Sequence, residues 1–137
     1  GTSDPELESP CVYGDRLGSY IIEATKNLRE VSNEDIKTKQ VQYPGVTPNG
    51  ITMDIEINAI VMGDIGFATV PYEMFDTNGK QLRAISSFGM TFPCGYSLNY
   101  LGYMPSCTAV PHGGYEVFMC RYVPGTGESV VLKLGGA

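Results

Sequence analysis

The residues able to do chemistry concentrate between Val70 and Glu128, in the pieces VPYEMFDTNGKQLR, GYSLNYLGYMPS and GGYEVFMCRYVPGTGE. One carboxylate, Glu73, and several tyrosines fall there in short loops beside apolar segments, a pattern that a generic core does not need. Glu73 follows Val70-Pro71-Tyr72 directly, where a buried strand is expected to give way to a helix. Such junctions are where α/β proteins place functional groups, and the helix dipole favours a carboxylate at a helix start. The bland alternative is a helix-start glutamate with no further role. A phenol titrates near pH 10 unaided, so a tyrosine ligates a metal only where the cation stabilises the phenolate or where the neutral group binds weakly.

Other chemistries are disfavoured. His112 is the only histidine, and beside Pro111 in a loop it reads as a surface residue. A catalytic zinc usually takes three protein ligands and a water. The four cysteines, Cys11, Cys94, Cys107 and Cys120, contain no CxxC pair, which argues against a thiolate zinc site. Disulfides are compatible with four cysteines, but unpaired and mostly buried thiols are expected. No serine, Ser86, Ser87 and Ser97 included, sits in a Gly-x-Ser-x-Gly elbow, and Gly125-Thr126-Gly127 lacks the Lys-Ser/Thr ending of a phosphate loop. The net charge of −6, with Lys and Arg scattered, speaks against nucleic acid and against an electrostatic grip on anionic lipid. No run of about eighteen apolar residues is present, so no transmembrane segment is expected. The opening GTSDPELESP reads as a linker rather than a natural start, so the lack of a signal peptide says nothing about compartment.

At 137 residues, 42% of them apolar, the chain has the length of a single folded domain. Leu17, Tyr20, Ile21, Ala24, Leu28 and Val31 recur at steps of three and four, which predicts an amphipathic helix over Asp15 to Val31 with that face buried. A strand is expected over Lys39 to Tyr43, then a loop through Pro44, Gly45, Pro48, Asn49 and Gly50. Thr52 to Met62 alternates clearly, with Met53, Ile55, Ile57, Ala59 and Val61 on one face. Gly63-Asp64 then suits a tight hairpin turn into a strand over Ile65 to Val70. Pro71 is expected to open a helix running to about Ser86, with Tyr72, Phe75, Leu82 and Ile85 on its buried side. A strand over Phe88 to Gly95, a tyrosine-rich loop, a helical turn after Pro105, a loop over Pro111 to Gly114 and an extended Tyr115 to Tyr122 follow. Glu128 to Leu134 reads as a helix or a strand, because VVLKL has strand propensity. Together these elements predict an α/β (α+β) fold, a two- or three-layer sandwich with a mixed sheet and a β-hairpin at about 52–70.

Glu73 and the tyrosine blocks also carry a resemblance to the neutral/alkaline ceramidases, zinc amidases that cleave N-acyl-sphingosine. Pro71-Tyr72-Glu73, then Gly79, then Leu82-Arg83 is similar to the family's Pro-Gly-Glu motif and the Gly and Leu-Arg that follow it. The resemblance implies that Glu73 is a zinc ligand. Tyr72 replaces the family's glycine, a departure expected to narrow the site or shift the ligand's approach. The block Gly95 to Tyr103 resembles the segment whose later tyrosine is the fourth zinc ligand, which implies that role for Tyr103. Tyr115, twelve residues on, resembles the tyrosine whose hydroxyl stabilises the oxyanion. The resemblance favours the helix for Glu128 to Leu134. It is loose over Asp15 to Leu134, with matching landmarks over Thr52 to Glu128. It implies the C-terminal part of a ceramidase-like catalytic domain, acting on a lipid-like N-acyl substrate, with two histidine ligands in an upstream part of the same polypeptide. A fragment of this kind is expected to be inactive alone and to bind zinc weakly or not at all. Members are often secreted, a mild lean to an extracytoplasmic location. A hydrolase of another N-acyl or ester substrate, and a non-catalytic module on the same scaffold, remain alternatives.

Overall fold

The computed structural model describes residues 9–31 and 35–136. The chain divides into two compact units, 1–31 and 32–137. In the first, helix α1 spans Pro10–Ala24 and a 3-10 turn follows over Thr25–Asn27. The helix begins earlier and ends sooner than the apolar periodicity predicts. Pro10 occupies its first turn, where a missing N–H loses no hydrogen bond. At the other end the Thr25 hydroxyl donates to the carbonyl of Ile22 at 2.7 Å, and Leu28 is already extended. None of the helix residues is buried, so the expected buried face is exposed.

The second unit is built on a mixed four-stranded sheet. Strands β1 (Lys37–Val46), β2 (Thr52–Met62) and β3 (Ile65–Thr69) run antiparallel, with Gln40 opposite Asn58 and Ala59 opposite Ala68. Gly63 takes φ +56° in the expected hairpin turn. Pro44 and Gly45, expected in a loop, extend β1 instead, because Gly45 lets the Tyr122 ring press against the strand: a Cβ there would lie 2.6 Å from it. From β3 the chain passes through β4 (Glu73–Met74) and helix α2 (Asp76–Ile85) to β5 (Met90–Cys94), which pairs parallel to β3. Later come β6 (Tyr103–Met104), a 3-10 turn at Val110–His112, the one-turn helix α3 (Tyr115–Phe118) and helix α4 (Thr126–Gly135).

One face of the sheet carries the core. Ile55, Ile57, Ala68 and Val70 meet Leu82 of α2 and Val130, Val131 and Leu134 of α4, with Tyr72, Met104 and Tyr122 completing the cluster. The β-branched pair Val130-Val131 is thus helical despite its strand propensity, because packing of the apolar face outweighs local preference. No helix among the described residues is long and apolar enough to cross a membrane.

Three further expectations are corrected. Pro71 does not open a helix: the carbonyls of Val70, Pro71 and Tyr72 accept from the amides of Ser97, Leu101 and Tyr96, so they are unavailable to an i+4 ladder. The helix starts only at Asp76, and Glu73 lies in a strand rather than at a helix terminus. Tyr115 to Tyr122 is not extended, since Gly113 and Gly114 turn the chain with φ of +65° and +101° and a helical turn closes from Gly114 onward. The four cysteines are unpaired, as expected, but two are exposed, two half-buried and none buried.

Candidate functional site

The short parallel pairing of β4 with β6 sets Glu73 directly opposite Tyr103, thirty residues away in sequence. The loop between Gly95 and Gly102 is laced to the segment that carries Glu73. Tyr96 N–H donates to Tyr72 O (3.3 Å), Ser97 N–H to Val70 O (3.1 Å) and Leu101 N–H to Pro71 O (2.6 Å). Glu73 N–H donates to Gly102 O at 2.9 Å. This close approach requires glycine at position 95, where a Cβ would stand 2.9 Å from the Tyr72 carbonyl oxygen. Within the loop Tyr96 and Leu98 take φ of +55° and +67°. Such left-handed geometry costs a non-glycine residue on the order of 1 kcal/mol or more.

The loop delivers phenols to the carboxylate. The Tyr100 hydroxyl donates to Glu73 Oε1 at 3.1 Å, and the Tyr96 ring stacks on the Tyr100 ring with centroids 5.3 Å apart. The Tyr115 ring meets the Tyr103 ring edge-on at 5.6 Å. Glu73, Tyr103 and Tyr115, the three residues singled out by resemblance, are therefore brought into one cluster. Glu73 and Tyr103 are half-buried, whereas Tyr115 is 62% exposed.

The electrostatics follow from this crowding. Hydrogen bonding, by Tyr96 above all and then by Tyr103 and Tyr100, holds the Glu73 carboxyl below its ordinary range against the opposing effect of desolvation. In return the Glu73 carboxylate, with some desolvation, pushes Tyr96 up to about 12. The Tyr103 phenol is raised further, first by its interaction with Glu73 and then by Tyr100. In the metal-free chain the cluster is thus one anion among neutral phenols. A cation bound at Glu73 would reverse the pressure on Tyr103, because it removes the negative charge that opposes phenolate formation.

Glu73 and Tyr103 offer two oxygen donors of the hard type that a divalent ion accepts. No group of three or more His, Cys, Asp or Glu residues able to hold a metal occurs among the described residues. The donors present therefore fit part of a zinc shell and not a whole one. His112 is exposed, as expected.

Solved structures match the fold of the chain. The neutral ceramidase from Pseudomonas aeruginosa superposes on 82% of the chain with a TM-score of 0.64 at 12% identity, and the match covers 29% of that protein. A ceramidase complexed with C2 superposes on 56% of the chain with a TM-score of 0.53 at 18% identity, covering 13% of that protein. The fold is neutral ceramidase-like. No family model and no curated protein matches the sequence. The chain thus spans less than a third of the length of either ceramidase.

Within this ceramidase-like fold two residues of the candidate cluster escaped the sequence reading. Tyr96 and Tyr100 lie in the loop already singled out, and their spacing of four was visible. What was not visible is the folding-back of the loop that sets both against Glu73. Tyr72 also departs from expectation. Its side chain is 0% exposed within the core, where burial, then Tyr122, Glu128 and Tyr43, raise its pKa. It fills the core and does not narrow the site.

Proposed function

We propose that this chain supplies part of the catalytic centre of a zinc-dependent amidohydrolase that cleaves the N-acyl amide of ceramide to sphingosine and fatty acid. The observation that carries the reading is the β4–β6 register, which sets Glu73 opposite Tyr103 with Tyr115 against the Tyr103 ring. Glu73 and Tyr103 would hold the ion through their oxygens. Zinc, when bound, supplies Lewis acidity at the amide carbonyl. Tyr115 donates its hydroxyl proton in a hydrogen bond to the oxygen that gains charge as the carbonyl is attacked. A preorganised donor of this kind contributes about 3 kcal/mol in a water-excluded site. Tyr115 is 62% exposed here, so that contribution requires cover from substrate or from further chain. The resemblance implies that two histidine ligands come from an upstream part of the polypeptide.

Two donors chelate zinc weakly, so the chain alone is expected to be inactive and to hold no stoichiometric zinc. The test uses a longer protein containing this chain and an upstream histidine pair. Glu73→Gln should lower zinc content, and Tyr115→Phe should lower kcat roughly 100-fold with bound zinc unchanged. Full activity in Tyr115→Phe, or undiminished zinc in Glu73→Gln, would overturn the assignment. Assays against ceramides and short N-acyl amides or esters separate ceramide cleavage from hydrolysis of another substrate. A non-catalytic module on the same scaffold is the second reading. A parent without an upstream histidine pair would support it.

A further inference from the structure

The carboxylate at the centre of the site sits on a two-residue strand and is half-buried. A ligand or general base must be held to within about half an ångström to be useful. The structure contains a device suited to that task. The Tyr100 hydroxyl reaches Oε1 at 3.1 Å, and its ring lies nearly parallel to that of Tyr96, 5° from coplanar orientation. The Tyr100 amide is itself held by the Asn99 side-chain oxygen at 2.7 Å. Two non-glycine residues of the same loop, Tyr96 and Leu98, are kept left-handed. Leu98 is 78% exposed, so burial of its side chain does not account for that conformation. The backbone bonds on either side hold it, through Ser97 to Val70 and Leu101 to Pro71. Strain maintained in this way recurs at functional sites, where it fixes a geometry that a relaxed loop would not hold.

We propose that Tyr100 is the positioning residue for the Glu73 carboxylate: it holds Oε1, and the stacked Tyr96 ring fixes the direction from which it does so. A cation shared with Tyr103 would bind at the same carboxylate in place of the Tyr96 and Tyr103 hydroxyl contacts. This last step rests on the zinc reading above; the positioning itself does not. Partners that orient a metal ligand in this way typically contribute 10- to 100-fold in metal affinity.

The test is nuclear magnetic resonance on the chain as it stands, comparing it with Tyr100→Phe and Tyr96→Phe. Phenylalanine keeps each ring and its stack and deletes only the hydroxyl, so a residue that merely fills space would leave Glu73 undisturbed. Three-bond couplings should report a single Glu73 side-chain rotamer in the unaltered chain and averaged rotamers in Tyr100→Phe. Averaged couplings in the unaltered chain, or identical couplings in Tyr100→Phe, would overturn the proposal. If Tyr100→Phe does not fold, the unaltered chain still decides, since contact between the Tyr100 ring protons and the Glu73 side chain must be observed there. Zinc titration separates the two readings. If the rotamer changes as expected while zinc added to the longer protein with its upstream histidine pair moves neither Glu73 nor Tyr103 resonances, the positioning role stands and the zinc assignment falls.

Discussion

Replacing Gly95 by alanine tests whether the close approach of two backbones builds the site. The new Cβ would stand 2.9 Å from the Tyr72 carbonyl oxygen, whereas ordinary van der Waals contact begins near 3.4 Å, so the loop must retreat by about half an ångström. The obstacle is backbone, which cannot swing aside as a flexible side chain can. The Tyr96 N–H to Tyr72 O bond, already 3.3 Å long, would stretch beyond hydrogen-bonding range. Loss of that bond costs about 1 kcal/mol, and forcing an extra methyl into a packed contact costs about 1 to 3 kcal/mol. The expected destabilisation is therefore about 2 to 4 kcal/mol, read from the urea midpoint of the second unit. The near-ultraviolet circular dichroism of the tyrosines should weaken in parallel, because Tyr96 and Tyr100 move with the loop. Gly14→Ala is the control: nothing lies within 4 Å of its Cβ, and an alanine inside α1 should favour that helix. A Gly95→Ala chain with unchanged midpoint and unchanged tyrosine signal would refute the reasoning, since the lacing of the loop would then not depend on this contact.

Other outcomes follow from the charges and the core. The Glu73 carboxyl is held below its ordinary 4.5, so its contribution is present above that pH and is lost as pH falls through the lowered value; acid titration of the tyrosine signal should show the loop loosening only below 4.5. Tyr96 behaves with the opposite sense: raised from 10.0 to about 12, it stabilises the fold below pH 10 and loses that contribution as pH rises toward 12. Ultraviolet phenolate absorbance should therefore show late-ionising tyrosines, and Glu73→Gln should bring the Tyr96 and Tyr103 components down while the buried Tyr72 stays late. In the longer protein with its full ligand set, zinc should draw one phenolate to lower pH, and Tyr103→Phe should abolish that component. Tyr72→Phe removes a buried hydroxyl that has no hydrogen-bond partner, and is expected to leave stability unchanged or raise it by about 1 kcal/mol in urea unfolding. A loss in Tyr72→Phe would mean that the hydroxyl is satisfied in solution.

The β2–β3 hairpin was legible because its period of two is strong and the turn needs a positive φ that Gly63 supplies. The final helix was legible only as one of two options, since Val130 and Val131 favour strands locally and become helical by packing on the sheet. The helix over residues 10–24 was legible in kind but not in bounds, because Pro10 and Thr25 set its ends and the apolar period does not. Pro71 misled for a comparable reason. Its ring is compatible with a helix start, but the carbonyls around it are claimed by a loop some thirty residues later.

Residue types and spacing alone indicated that the chain folds, that strands alternate with helices, and that Glu73 and a set of tyrosines are candidate groups for chemistry. Local order of this kind depends on periodicities of two and 3.6, which any short window contains. The tertiary structure decided which of these groups meet. Opposing Glu73 to Tyr103 takes a parallel pairing across thirty residues. Setting Tyr96 and Tyr100 on the same carboxylate takes a left-handed loop, held by backbone hydrogen bonds and by one glycine with no room for a Cβ. Long-range backbone pairing leaves no local pattern, and so the site became visible only once the chain was folded.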